Sequence, residues 1–191
     1  MSANIVIIGM RGSGKSNVSR RLSVLSKRPV MSTDVLISYD TGRTIPELIE
    51  EDGGDWHRFR DLEYRTVAKV SRLSDVIVDG GGGVIVDLDD SGEEVFSERK
   101  VSLLSATGTI VWLRGDIPRL AAKTRGDAQR PPLHAIRSAE ETMYRRLPFF
   151  ERAADVVVDI EGRDRKDIAR EIFLDLVEGA VEEEGPDIPG R

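Results

Sequence analysis

Asn4-Ile5-Val6-Ile7-Ile8 runs directly into Gly9-Met10-Arg11-Gly12-Ser13-Gly14-Lys15-Ser16, and the fold is decided at this join. The β-branched run predicts a short strand buried on both faces. The octet after it fits G-x-x-x-x-G-K-[ST] without a mismatch and lies where that pattern must lie, between a strand and a helix. Its glycines let the backbone curl until successive N–H groups point at phosphate oxygens, and the helix N-terminus adds positive potential. On this reading Lys15 reaches the β- and γ-phosphates and the Ser16 hydroxyl ligates Mg²⁺. Gly12, Ser13, Gly14 and Asn17 complete the candidate ATP contacts.

Working outward, apolar runs of the same kind recur at Val76-Ile77-Val78, Thr109-Ile110-Val111-Trp112-Leu113 and Val156-Val157-Val158, with a weaker one at Pro29-Val30-Met31. Helical stretches with recognisable starts lie between them. Thr44 with Glu47, and Ser138 with Glu141, have capping-box spacing. Asp116 with Pro118 opens another helix, whose Leu120-Ala121-Ala122 is expected to pack inward. Strands alternating with helices imply α/β architecture: a doubly wound, five-stranded parallel sheet of P-loop NTPase type with helices on both faces. The expected organisation is one domain over residues 1–178 and a flexible acidic tail over 179–191. Gly80-Gly81-Gly82-Gly83 follows the third strand. Gly126 to Arg137, with Pro131-Pro132 and few core-forming residues, reads as a mobile surface loop. Residues 84–108 read as a surface excursion followed by a helix from about Gly92.

Composition narrows the function. The chain has 191 residues, 39% apolar and 32% charged, with 28 basic against 34 acidic side chains and a net charge of −6. That balance argues against a nucleic-acid backbone as the main partner. No cysteine is present, so disulfides, thiolate metal sites and cysteine nucleophiles are excluded. His57 and His134 are the two histidines, too few for a multi-histidine metal centre, and read as structural or solvated. The apolar run Ile5 to Ile8 is too short for a signal peptide or membrane span. A cytoplasmic protein, monomeric and without a membrane partner, is the expectation. Base-reading motifs of the N-K-x-D type are absent, since Asn occurs only at positions 4 and 17.

Over roughly residues 4–175 the chain resembles the shikimate kinases. The resemblance is carried by Gly9 to Ser16, Ser32-Thr33-Asp34, Thr41-Gly42-Arg43-Thr44-Ile45, Phe59-Arg60-Asp61-Leu62-Glu63, Gly81-Gly82-Gly83, Arg130-Pro131-Pro132-Leu133 and Arg146-Leu147-Pro148-Phe149-Phe150. Each segment is short, but their order and spacing together are specific. The resemblance implies ATP-dependent phosphorylation of shikimate to shikimate 3-phosphate. It implies a substrate-binding insertion at about 33–62 and a lid at about 123–137. By that similarity Asp34 accepts the proton of the reacting hydroxyl. Arg60 and Arg146 fork onto the substrate carboxylate, a task suited to a planar bidentate cation. Gly81, Gly82 and Gly83 allow close backbone approach to the ring, and Arg130 closes over the phosphates with Lys15. Lys123 falls where the family has its adenine-side arginine, and Arg163 is a further nucleotide contact. Without the resemblance, Arg60 and Arg146 read as solvated ion-pair residues and Asp34 as a helix cap. Arg11 is expected to face outward, and Trp56 and Trp112 to pack.

The pattern departs from the family at two linked positions. An Asp usual at the end of the second strand is Ser32, and a Ser or Thr usual before the triple glycine is Asp79. We read this as an exchange in which Asp79 holds the waters of Mg²⁺ and Ser32 hydrogen-bonds to it, because a metal site that lost one carboxylate binds more weakly unless another replaces it. Two rival readings stand beside shikimate phosphorylation. One is a kinase for another polyhydroxy acid such as gluconate; the other is a nucleotide-binding regulator that has lost turnover.

Overall fold

The computed structural model describes residues 3–124 and 137–179. In chain order its elements are β1 (Asn4–Ile8), α1 (Lys15–Ser26), β2 (Val30–Ser32), α2 (Thr33–Thr41), α3 (Ile45–Glu51), α4 (His57–Val70), β3 (Ile77–Asp79), β4 (Val86–Leu88), β5 (Glu94–Phe96), α5 (Glu98–Ser105), β6 (Gly108–Arg114), α6 (Ile117–Thr124), α7 (Ala139–Ala153), β7 (Val156–Asp159) and α8 (Arg165–Phe173). A π-helical turn over Leu174–Glu178 closes the described chain.

Ile5, Val6, Ile7 and Ile8 are each 1% exposed or less, because β1 is covered on both faces and flanked on both edges. It pairs with β3 on one side and β6 on the other, in a five-stranded sheet of order β2-β3-β1-β6-β7. Every pairing in that sheet is parallel. Right-handed crossovers fix the layers. The one connection running back across the sheet, from β1 to β2, puts α1 on one face, where it packs on α8; α4 and α5 pack together on the other.

Both capping boxes form. Thr44 accepts from the backbone of Glu47 and Ser138 from that of Glu141, and each glutamate reaches back to the cap residue. The second box starts α7, the helix that carries Arg146. At α6, Leu120 and Ala121 are buried as expected, whereas Ala122 faces outward. The helices α2, α3 and α4 share a separate small core of Ile37, Leu48, Ile49 and Phe59, which fixes their position beside the carboxyl edge of the sheet. Phe150 is buried and stacks on Trp112, with ring centroids 5.7 Å apart.

The segment 84–108 differs from expectation. No helix starts near Gly92; instead β4 and β5 form an antiparallel hairpin, Gly92 takes a turn position at φ +80°, and α5 begins at Glu98 with Ser97 as its cap. The segment is also no mere surface excursion, since Val84, Ile85 and Val86 are buried. Val84 and Ile85 lie in the turn that leads into β4, and all three pack into the main core. Residues 125–136 and 180–191, which include most of the expected lid, with Arg130 and His134, and nearly all of the expected tail, lie outside the described residues. Among the described residues no helix is long and apolar enough to cross a membrane.

Replacing the α7 cap tests how far this helix depends on its box. Ser138→Ala is expected to lower unfolding stability by about 1 kcal/mol in urea titration, with the denaturant slope unchanged.

Candidate active site

The phosphate loop lies between β1 and α1, with Gly12 and Gly14 in left-handed conformations at φ +83° and +89°. Lys15 is mostly buried. Its Nζ donates to the loop's own carbonyls, Gly9 at 2.8 Å and Met10 at 3.3 Å. Ser13 is wholly buried, and Ser16 and Asn17 are exposed in the first turn of α1, where Asn17 Oδ1 accepts from Arg21 at 2.8 Å. Lys123 stands beside the loop: a Cβ placed on Gly12 would sit 3.6 Å from the Cβ of Lys123. Arg163 is drawn away to Glu171 and to the carbonyl of Asp159. Arg165, two residues on, lies against Gly14, its Cδ 3.2 Å from where a Cβ would be. The sequence reading passed over Arg165, because a basic residue opening a basic helix looks solvated.

On the acceptor side a cavity of about 310 Å³ is lined by Asp34, Trp56, Arg60, Gly82, Gly83 and Arg146 among others. Asp34 lies in the first turn of α2, where the helix N-terminus favours a negative charge. Arg11 does not face outward as expected. It is half-buried and lines the same cavity, because the glycine run passes beneath it: a Gly82 Cβ would sit 3.5 Å from the backbone nitrogen of Arg11. The glycines also make room for the protein's own charged groups. A Cβ on Gly81 would collide with the Asp34 carboxylate, and one on Gly83 would lie 2.7 Å from the Arg60 guanidinium.

Arg60 and Arg146 are buried, at 4% and 2% exposure, where charge-rich surroundings suggest solvated residues. Arg60 Nη1 donates to Glu63 at 2.9 Å and to the Gly83 carbonyl at 3.1 Å, and its guanidinium lies 5.4 Å from the Trp56 ring. Arg146 donates through Nε to Glu94 at 2.8 Å, through Nη2 to the other oxygen of Glu94, and through Nη1 to the Gly82 carbonyl at 3.2 Å. Behind Arg60, the wholly buried Lys100 donates to Glu63 at 2.7 Å and to the Val86 carbonyl at 2.6 Å. Burial pushes the Lys100 ammonium down from its ordinary value, and the charges of Glu63 and Asp87 oppose that push. Burial also pushes the Asp87 carboxyl up, but the Arg99 hydrogen bond, the Lys100 charge and the Ser97 hydroxyl together outweigh it and bring Asp87 down to about 2. His57 is structural: it joins Asp55 to the Asp89 carbonyl, and the Asp55 hydrogen bond holds its imidazole above the ordinary value.

Comparison with known proteins fits this geometry. The family described as shikimate kinase matches residues 11–177. A shikimate kinase of Leptospira biflexa is 42% identical over 171 residues, covering 89% of this chain and 93% of its own. The chain belongs to the shikimate kinase family. A shikimate kinase of Acinetobacter baumannii, solved in complex with shikimate, superposes with a TM-score of 0.79 at 23% identity, over 94% of this chain and 95% of that one. The Aquifex aeolicus shikimate kinase gives 0.71 at 23% identity, over 93% and 98%. These two likenesses speak to the fold, which is that of the family.

Within this shikimate kinase fold the sequence reading missed Glu94 and Lys100. Both sit in the 84–108 segment, which reads as a surface excursion followed by a helix, so no local signal marks them. The depressed carboxyl of Asp87 has a consequence for acid stability. A group held below its ordinary value of 3.8 stabilises the fold above that value and loses its contribution as pH falls towards about 2. Asp87→Asn is therefore expected to lower the thermal midpoint at pH 7. The gap to the parent chain should close as the acid limb is descended, in melts recorded across that range.

Proposed function

We propose that this protein transfers the γ-phosphoryl group of Mg-ATP to a ring hydroxyl of shikimate, giving shikimate 3-phosphate and ADP. The observation that carries this reading is the convergence of Asp34, Arg60, Arg146 and the loop residue Arg11 on one cavity beside the phosphate loop. Shikimate is a small carboxylate with three hydroxyls. Two buried guanidiniums suit its carboxylate, and their fixed planes orient the ring so that one hydroxyl meets Asp34. The Asp34 carboxylate takes the hydroxyl proton as the oxygen bonds to the γ-phosphorus. The bond from that phosphorus to the β–γ bridging oxygen breaks, and ADP leaves with the electron pair. Lys15 is placed to move from its own loop carbonyls to the phosphates. By family resemblance Arg130 joins it from the segment outside the described residues. Lys123 and Arg165, on either side of the loop, are suited to the nucleotide.

The residues present fit a magnesium ion. Mg²⁺, when bound with ATP, would offset the negative charge that develops on the phosphates. Ser16 would hold it directly. Asp79 is a 5% exposed carboxylate at the carboxyl end of β3, and a buried carboxylate calls for a cation or hydrogen-bond donors. The register sets Asp79 opposite Ser32 on β2 and opposite Ile7 on β1. That supports Asp79 as the acid exchanged between the two strands, whereas the hydrogen bond expected from Ser32 to Asp79 does not form.

ADP release measured with Mg-ATP is expected to depend on shikimate and not on gluconate. Asp34→Asn should lower kcat by about a hundredfold or more while ATP binding persists. Binding of ATP with no release for any acceptor would reinstate the regulator reading. For the metal, Asp79→Asn is expected to raise the Mg²⁺ concentration for half-maximal rate by about tenfold. Binding of Mn²⁺ to the nucleotide complex, followed by electron paramagnetic resonance, should weaken in parallel. Unchanged metal dependence in both measurements would return Asp79 to the role of a turn residue.

A further inference from the structure

Both arginines of the acceptor cavity are built on one plan. Each guanidinium donates to one buried carboxylate and to one carbonyl of the glycine run: Arg60 to Glu63 and Gly83, Arg146 to Glu94 and Gly82. The two carboxylates have different origins. Glu63 lies three residues from Arg60 on the same helix, so α4 supplies it locally. Glu94 lies 52 residues from Arg146 and comes from β5, in the hairpin that stands where the sequence reads a surface excursion.

We propose that Glu94 is a positioning residue for Arg146, and that the β4–β5 hairpin presents it to fix the guanidinium in the plane that receives the substrate carboxylate. The inference rests on the reading of Arg146 as a carboxylate clamp. Glu94 occupies the Nε–Nη2 edge with both of its oxygens, and the Gly82 carbonyl holds Nη1. Three bonds fix the plane and leave one N–H on Nη1 and one on Nη2 for a further partner. Arg146 lines the cavity and Glu94 does not, so the carboxylate grips from behind.

The hairpin is anchored for this task at several points. At its tip, Asp89 Oδ1 accepts from the backbones of Ser91 and Glu93 at 2.9 and 3.0 Å, and the Asp89 carbonyl meets His57 Nε2 of α4 at 3.0 Å. At its base, Asp87 is bound by Ser97 and Arg99. Glu93, next to Glu94, accepts from Arg137 at 2.6 Å and from Arg145 at 2.7 Å. Glu94 therefore arrives on a frame tied to α4 and α7.

Two effects of Glu94 oppose one another. Its charge offsets that of Arg146 and weakens simple attraction for an anion. Its geometry keeps a buried guanidinium from turning to satisfy itself elsewhere. The second prevails, because an abandoned buried edge with two donors is a larger loss than a softened long-range field, and bidentate capture depends on the plane.

The test compares Glu94→Gln, Glu94→Asp, Arg146→Met and the double variant Glu94→Gln/Arg146→Met in full-length protein. Steady-state constants are measured for shikimate and for ATP, with thermal midpoints alongside. Glu94→Gln should raise the shikimate KM by about tenfold or more, with a smaller change in kcat and an unaltered KM for ATP. Glu94→Asp should recover part of the loss. In the double variant the shikimate KM should match that of Arg146→Met alone, because Glu94 acts only through that arginine. A shikimate KM within twofold of the parent for Glu94→Gln, or a loss that adds in full to Arg146→Met, overturns the proposal. If Arg146→Met itself leaves the shikimate KM unchanged, the clamp reading fails instead, and the two failures are told apart in one set of assays.

Discussion

A cation taken out of water must find its counter-charge and its hydrogen bonds inside the protein, or the fold cannot hold it. Three cations around the acceptor cavity find a carboxylate there, Arg60, Arg146 and Lys100, none more than 4% exposed; among the described residues the buried Nε of Arg60 is left without a hydrogen-bond partner. Glu63 serves two of them, accepting from Arg60 and from Lys100 through the same oxygen. Glu94 serves the third. The carbonyls of Val86, Gly82 and Gly83 take further donors. Removing either carboxylate would leave a buried cation without its counter-charge.

The sheet explains why these groups can meet. In a parallel sheet all strands end on the same edge, and ligands of open α/β folds bind outside that edge. The carboxyl end of β1 releases the phosphate loop, that of β2 releases Ser32 and Asp34, and that of β3 releases Asp79 and the glycine run. Neighbouring strands in register put Ile7, Ser32 and Asp79 side by side. The glycines then act by what they lack. Without side chains at 81, 82 and 83, the Asp34 carboxylate, the Arg11 backbone and the Arg60 guanidinium approach the main chain closely.

Much of the fold was legible because its signals are local. The strand of Ile5 to Ile8, the loop beginning at Gly9 and both capping boxes each depend on residues within a few positions of one another. The roles of Asp34, Arg60 and Arg146 came from ordered resemblance, since their own neighbourhoods point to surface ion pairs. Arg11 went astray because its direction depends on a glycine run far along the chain. The segment holding Asp87, Asp89 and Glu94 reads as a surface excursion, yet the hairpin gives these three acids different roles. Asp87 braces α5, Asp89 builds the turn, and Glu94 is buried behind Arg146.

By itself the sequence determined the parallel α/β sheet, the phosphate loop and the helix starts, because periodicity, turn chemistry and capping act over short stretches of chain. It also carried the family pattern that singles out the acceptor residues. Only the tertiary structure decided which carboxylate meets which cation: that Lys100 lies beneath Glu63, that Arg165 reaches Gly14, and that a hairpin brings Glu94 to an arginine on α7. The reason is physical. Pairing of buried charges depends on distance in space and on exclusion of water, and both exist only after the chain has packed.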